Sequence, residues 1–573
     1  MKSMAFCVVA ALVLVTACGG PAEITTAPVS AGRRPTAIIA DGAHGTGNAH
    51  FFFLPPLVAA PSFNGTFDPS LAGFLTVDVC RVNGNSCLSP SIISFTASGD
   101  PASETVRLDA TAEKYIVNWD TRATMLDPAQ TYRIRVSVVG LSIGYADVDV
   151  VESASQLKNV ATGELVGLVD GRTLPIKFRI EKDPFITAHV MRSQGSSASQ
   201  VIVVLQRDFG LDAQMSATIL FAESYAGVEV GAALQSVYQQ TSAQVAGILK
   251  FVGYSVTEVT HALNVVFHES VGAVAQILKS VGFDPSAIAR GLHVEFQLVA
   301  RDVAQILKDL SFDPGVVAQV LQVEFQLVAK DIARLLKDVG FDPTAIAQVL
   351  HVKFNLLAGD VTQIFKDLGI DAAGIMRALH LEFQLLPAQA ARLLHDLLFD
   401  PGAVARGLRT EFQLLDFEVA RILNEVLFHP EDIARALHAE FQLLERDVGK
   451  ILNDIGIDPS GIARALHVEF ALVARDVGQI LKDLGVDPSG ILRAVHGELQ
   501  VLAADGAQLL KDVGFDPSGI AGALRAEYQL GPLDAAQILK NIGYGIDAIT
   551  AALGSAFALG IEAIGEILAA IGF

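Results

Sequence analysis

The chain has 573 residues, too many for one hydrophobic core, since cores stop growing near ~250–300 residues. A hydrophobic fraction of 51% and a mean hydropathy of +0.44 exclude a mostly disordered protein. No continuous apolar run of ~18 residues follows the N-terminus, as a membrane span would need, and the net charge of −21 (62 Asp plus Glu against 41 Lys plus Arg) excludes a general nucleic-acid binder.

Lys2 is followed by an apolar run over residues 4–15 and by Val15-Thr16-Ala17-Cys18. A basic start, a short apolar stretch and small residues before a cut are the parts of a secretory signal, here 1–17. Cysteine directly after the small residues resembles a bacterial lipobox. The resemblance implies cleavage before Cys18, a lipid on its thiol and a membrane partner through that anchor. Gly19 follows instead of the Asp that resembles an inner-membrane retention signal, so the expected address is the outer membrane or cell surface.

The mature chain then keeps only Cys80 and Cys87, which flank Asn83-Gly84. Asn-Gly is a strong hairpin signal. Strands turning there bring the two sulfurs to bridging distance in an oxidising compartment. Two unpaired thiols are the alternative, and a zinc site lacks further ligands.

Residues 18–35 have the Gly, Pro, Ala, Ser and Thr of a tether. From 36 to 185 the pattern has period two: 75–80, 132–138 and 176–180 alternate apolar with polar, and Asn64-Gly65, Asp68-Pro69, Asp127-Pro128 and Asp170-Gly171 mark turns. This predicts an antiparallel β-sandwich with Trp119 as a core anchor. The pattern resembles immunoglobulin-like domains of bacterial surface proteins. Residues 186–200, rich in Ser, Gly and Gln, read as a linker.

An aromatic or large apolar residue then recurs at interval 29, from Phe209 and Tyr238 through Phe296, Phe325 and Leu499 to Phe557. A fixed period of this size predicts a repeat architecture. In one unit Asp284-Pro285 starts a helix, with Ile288, Leu292 and Phe296 on one apolar side and Val294 and Leu298 on another. A second helix begins near 300, where Pro387 and Pro532 stand at equivalent positions, and buries Val303, Ile306, Leu307 and Leu310. Gly282-Phe283 leads into the next unit. The predicted fold of 201–573 is an α-solenoid of about twelve helical hairpins. Its Gly-Phe-Asp-Pro joints resemble those of mitochondrial transcription-termination factors and transcription-activator-like effectors. That resemblance implies nucleic-acid binding, which the export signal, the acidic balance and the missing base-reading pair oppose.

No Gly-x-Ser-x-Gly elbow or phosphate-binding loop is present, and His268-Glu269 lacks the second histidine of a zinc protease, so no enzyme, cofactor or metal is expected. The repeats instead carry a polar stripe, the candidate binding site: Arg290, His293, Gln297, Arg377, His380, Arg406, Arg435, His438, Arg464, His467, Arg493 and His496. Layers ~8–10 Å apart keep successive histidines from sharing one ion. The stripe reads as a solvated face or as a site for a repetitive anion such as an acidic polysaccharide. Glutamate recurs at 295, 324, 382, 411, 440, 469, 498 and 527, where it is expected to accept amide hydrogens of the second helix. The last unit is poor in charge, with Ala552, Ala556 and Ala569 where a polar cap is expected, which predicts that this end is covered by another copy or a partner, or touches lipid. The functional expectation is a non-enzymatic, lipid-anchored envelope protein whose repeats bind a protein or polymeric ligand. The alternative is an envelope scaffold or fibre built by end-to-end stacking.

Overall fold

The computed structural model describes residues 38–45, 47–98, 105–153 and 167–573. The signal 1–17, Cys18 and the tether 18–35 lie outside the described residues. The chain divides into two compact units, one holding the β domain and the helices through Thr241 (with Phe251–Gly253), the other Ser242–Lys250 and Tyr254–Phe573.

Eleven strands are present among the described residues: β1 (Ile39–Ala40), β2 (Phe51–Phe53), β3 (Leu75–Asn83), β4 (Ser86–Cys87), β5 (Ile93–Thr96), β6 (Arg107–Asp109), β7 (Lys114–Asp120), β8 (Thr131–Val138), β9 (Leu141–Val151), β10 (Gly167–Val169) and β11 (Thr173–Ile180). One sheet runs β1-β9-β8-β3-β4, with β5 also on β3 and β10 on β9; the other runs β2-β11-β7-β6. All pairs are antiparallel except β10 with β9. The period-two residues meet between the sheets: Val77, Val79, Ile134 and Val136 from one, Tyr115, Val117, Trp119, Ile176 and Phe178 from the other, all fully buried. Trp119 is the expected core anchor.

Cys80 and Cys87 form a disulfide with Cα atoms 5.5 Å apart. The hairpin pairs Asn83 with Ser86, so its two-residue turn is Gly84-Asn85, one residue beyond the expected Asn83-Gly84. Gly84 carries the turn's positive φ of 61°. By loop-closure entropy the bridge contributes about 2–3 kcal/mol. Cys80→Ser with Cys87→Ser is expected to lower the β domain's unfolding free energy by that amount, and alkylation of both thiols in native, unreduced protein would contradict the bridge.

The expected linker 186–200 is instead mostly helical. A helix spans Pro184–Ser193, capped by Asp183, and its Ile186 and Val190 complete the sandwich core. The next helix starts at Ala198 with a Ser197/Gln200 capping box. The serine-rich composition marks a helix start there, not a flexible span.

From Ala198 the chain forms thirteen helix pairs, one more than the twelve or so expected. In all but one, a longer A helix (Ala198–Phe209 in the first pair, Ile546–Phe557 in the last) precedes a shorter B helix (Ala213–Ala222, Ile561–Ala570); in the third pair, Val256–Val265 and Val271–Ser280, the two are equal. Helix Pro184–Ser193 lies 29 residues before the first B helix, so it is a B helix without its A partner. In the unit first read from sequence, Asp284 accepts the Ala287 N–H at 2.9 Å. Gly282 closes the preceding B helix at φ 84°, and Phe283 N–H reaches Leu278 O at 3.0 Å. Pro387 and Pro532 begin B helices as expected. One expectation fails. The second side of the A helix is not Val294, which is 57% exposed; it is Ala289 and Gly291, both buried. Small residues at this seam let adjacent A helices approach closely.

Candidate binding surfaces of the repeats

The A-helix stripe proves to be joinery between repeats. Arg290 pairs with Glu324 at 2.7 Å, Arg406 with Glu440 at 2.6 Å and Arg464 with Glu498 at 3.0 Å. His351, His380, His438 and His496 contact Glu382, Glu411, Glu469 and Glu527 at 2.7–2.8 Å. Arg435 and Arg493 lie 3.7 and 3.5 Å from the glutamates that His438 and His496 also reach. Each of these glutamates sits 31 or 34 residues on, in the next repeat; Arg435 is also 3.1 Å from Asp432 of its own helix. The same four histidine rings stack on the next repeat's aromatic residue, Phe383, Phe412, Phe470 or Tyr528, at 4.5–4.7 Å. His293 and His467 instead bond the carbonyls of Leu298 and Leu472 in their own turns, and Glu411 is held by His380, not by Arg377.

Contrary to expectation, the glutamates therefore do not cap the second helix. Their carboxylates face back to the preceding A helix, where the Arg guanidinium supplies charge-assisted hydrogen bonds. The Glu324 and Glu440 carboxylates hold the exposed Arg290 and Arg406 guanidiniums more firmly in their charged form. The stripe residues remain half-exposed, but most of their charge is already engaged.

A second ladder escaped the sequence reading. Lysines in the last turn of the B helices donate to carbonyls that close the next B helix: Lys250 to Val281 O at 2.7 Å and Gly282 O at 2.6 Å, Lys540 to Ile571 O at 2.5 Å. Lys279, Lys308, Lys337, Lys366, Lys482 and Lys511 do the same. A cation there complements the helix dipole and satisfies carbonyls that have no intrahelical partner. Several of these ammoniums also lie 4.6–5.7 Å from the next aromatic ring, Phe283 and Phe515 among them. The recurring Leu-Lys before each Gly-Phe was the available signal. In the last repeat the forward-reaching Arg, His and Lys positions hold Ala551, Gly554 and Ala569. There Ala552 is buried and Ala556 half-buried, so only Ala569 of the three expected terminal-face residues is exposed.

The A–B turn is a third, different surface. Its first residue is left-handed: Gln297 has φ 54°, and Gln326, Gln384, Gln413, Gln442 and Gln500 repeat this at 54–58°. Glycine or asparagine is the usual choice there. Leu298, the residue before the N-cap, is half-buried and placed as a hydrophobic staple. The third residue is the N-cap of the B helix. In eight consecutive repeats it is Val299, Val328, Leu357, Leu386, Leu415, Leu444, Val473 or Leu502, each 61–73% exposed. None supplies a side-chain cap. Earlier B helices do have one, from Asp212 and Ser270. Omitting a polar N-cap costs ~0.5–2 kcal/mol per helix. These side chains therefore serve neither the helix end nor the core. Exposed Val294, Val323, Val352, Leu381 and Val468 add a shorter A-helix row. Between successive turns runs a groove of about 560 Å³, lined among others by Val473, Arg475, Gln500, Leu502 and Asp505.

Among the described residues no three metal-ligating side chains converge, and no helix is long and apolar enough to cross a membrane. No known protein family matches the chain, and no curated protein is significantly similar to it.

Proposed function

We propose that the chain is a non-enzymatic, lipid-anchored envelope protein whose repeats bind a protein partner along the A–B turn edge. The eight exposed apolar N-caps carry this reading, because they forgo local stability for surface that only a partner would use. A polyanion such as an acidic polysaccharide would need the cations of the A-helix stripe, most of which the glutamates already hold. End-to-end stacking into a fibre is disfavoured at one end, where helix Pro184–Ser193 is already built into the sandwich core. The anchor rests on the lipobox-type residues ending in Cys18, and the disulfide suits an exported protein.

A photo-crosslinking residue at Leu386 or Leu415 is expected to capture an envelope protein, whereas one at Arg435 captures none. Capture only from Arg435 would contradict the reading. For the anchor, Cys18→Ser is expected to release the protein from membranes, and a mature N-terminus other than acylated Cys18 would contradict it.

A further inference from the structure

We infer that the A–B turn edge receives a cationic amphipathic helix of a partner protein, lying along the solenoid with its apolar stripe on the N-cap rungs. The inference rests on the edge being the binding surface and adds the chemistry of what occupies it.

Spacing supplies the first argument. Rungs recur once per repeat layer, ~8–10 Å apart. A helix advances ~10.5 Å per heptad. At ~9 Å per rung, one apolar residue per heptad stays near successive rungs for about three heptads before the mismatch reaches half a rung. An extended strand, at ~6.6 Å per two residues, reaches the same mismatch after about two rungs.

Charge supplies the second. Three residues after five of the eight rungs, on the same exposed first turn, stand Asp302, Asp331, Asp447, Asp476 and Asp505; after Leu357, Leu386 and Leu415 stand Asp360, Gln389 and Glu418, each accepting its rung's N–H. Among the described residues no ion pair holds these five. The cations beside them turn away to the next repeat: Lys330 to Asp367 at 2.6 Å, Arg446 to Asp483 at 3.9 Å and Arg475 to Asp512 at 4.0 Å. The edge thus presents alternating apolar and acidic groups, and its complement is apolar and basic. A second copy of this chain, itself at net −21, would bring like charges together.

The left-handed glutamines supply the third. Their exposed carboxamides flank the rungs and both donate and accept hydrogen bonds, which suits the lysine-rich and backbone polar margins of such a helix. Glycine there would relieve the backbone and remove that function.

The test uses the purified full chain and three labelled peptides of about four heptads: leucine at a and d with lysine elsewhere, the same composition scrambled, and a leucine/glutamate counterpart. Fluorescence anisotropy near physiological salt is expected to show the amphipathic lysine peptide binding at least roughly tenfold more tightly than the scrambled one, with no binding of the glutamate peptide. Combined Leu357→Ser, Leu386→Ser, Leu415→Ser and Leu444→Ser should weaken binding at least about tenfold with circular dichroism unchanged. Asp447→Asn, Asp476→Asn and Asp505→Asn, all exposed, should weaken it severalfold and flatten its salt dependence. Equal binding of the scrambled peptide, or unchanged binding by the serine variant, would overturn the inference. So would dimers of the wild type, or adsorption to phosphatidylglycerol vesicles, that the serine variant abolishes; these would make the occupant a second copy or a lipid surface. Edge crosslinking that persists while the lysine peptide fails would overturn the occupant and leave the edge reading standing.

Discussion

Leu437→Ala is expected to destabilise the repeats by about 2–5 kcal/mol, the cost of lost apolar transfer plus a residual cavity. Leu437 is fully buried on the A helix Pro430–Phe441, beside Ile433 and Ala434. The A helices that flank it leave little room for collapse, which places the cost toward the upper part of that range. Solenoid stability is approximately a sum of repeat and neighbour terms, so the weakened repeat should also divide the cooperative unit. Calorimetry should show a lower and broader transition than the wild type. A melt superimposable on the wild type would mean that this seam does not hold the array together.

Gly291→Ala is expected to be destabilising although alanine favours helix by ~1 kcal/mol over glycine. A Cβ at 291 would lie 2.5 Å from Thr260 Oγ1 and 3.2 Å from Val256 Cγ2. Thr260 cannot easily yield, because it is fully buried, β-branched and bonded to Val256 O at 2.7 Å. Overpacking of this kind costs ~1–3 kcal/mol, so the net loss should be up to about 2 kcal/mol. The chain itself suggests the remedy. One repeat seam pairs Thr260 with Gly291 and another pairs Met376 with Gly407, whereas 405/436, 434/465 and 463/494 are alanine on both sides. At these seams a larger residue faces glycine and alanine faces alanine. Thr260→Ala added to Gly291→Ala should therefore restore stability, giving a coupling energy that additive effects would not produce. Additive losses in the double variant would contradict the seam described here.

The repeat architecture was legible because its signals are local. Asp-Pro fixes seven of the A-helix starts, Asp284-Pro285 among them, through a cap and a proline without a needed N–H, and a left-handed residue, most often glycine, closes the B helices. The strands at 75–83, 131–138 and 173–180 were equally legible, since period two needs no knowledge of the partner strand. What eluded the sequence involves neighbours. Val294 looks like a core residue on a helical wheel, and only the close approach of A helices through Ala289 and Gly291 shows that it faces out. Glu324 looks like a capping group until Arg290 of the preceding repeat is placed 2.7 Å away. The serine-rich stretch after Met191 looks like a linker because composition hides the Ser197/Gln200 box. The edge rungs are silent in the sequence for another reason. An isolated Val or Leu before a helix is ordinary, and its meaning lies in eight exposed repetitions at a position that prefers oxygen.

The central claim is a division of labour, in which the cation–carboxylate ladders hold repeats together and the A–B edge is free to bind. It is tested most directly by melting two variants beside the wild type. One replaces Leu357, Leu386, Leu415 and Leu444 with serine; the other replaces Glu382, Glu411, Glu440 and Glu469 with alanine. Each serine gains a cap worth about 1 kcal/mol and forgoes the roughly one-third of a leucine's burial that the exposed rungs retain, about 0.5–1 kcal/mol. The edge variant is therefore expected to melt at or above the wild-type temperature, and the ladder variant below it. An edge variant that melts several degrees lower beside a ladder variant that melts like the wild type would contradict the account.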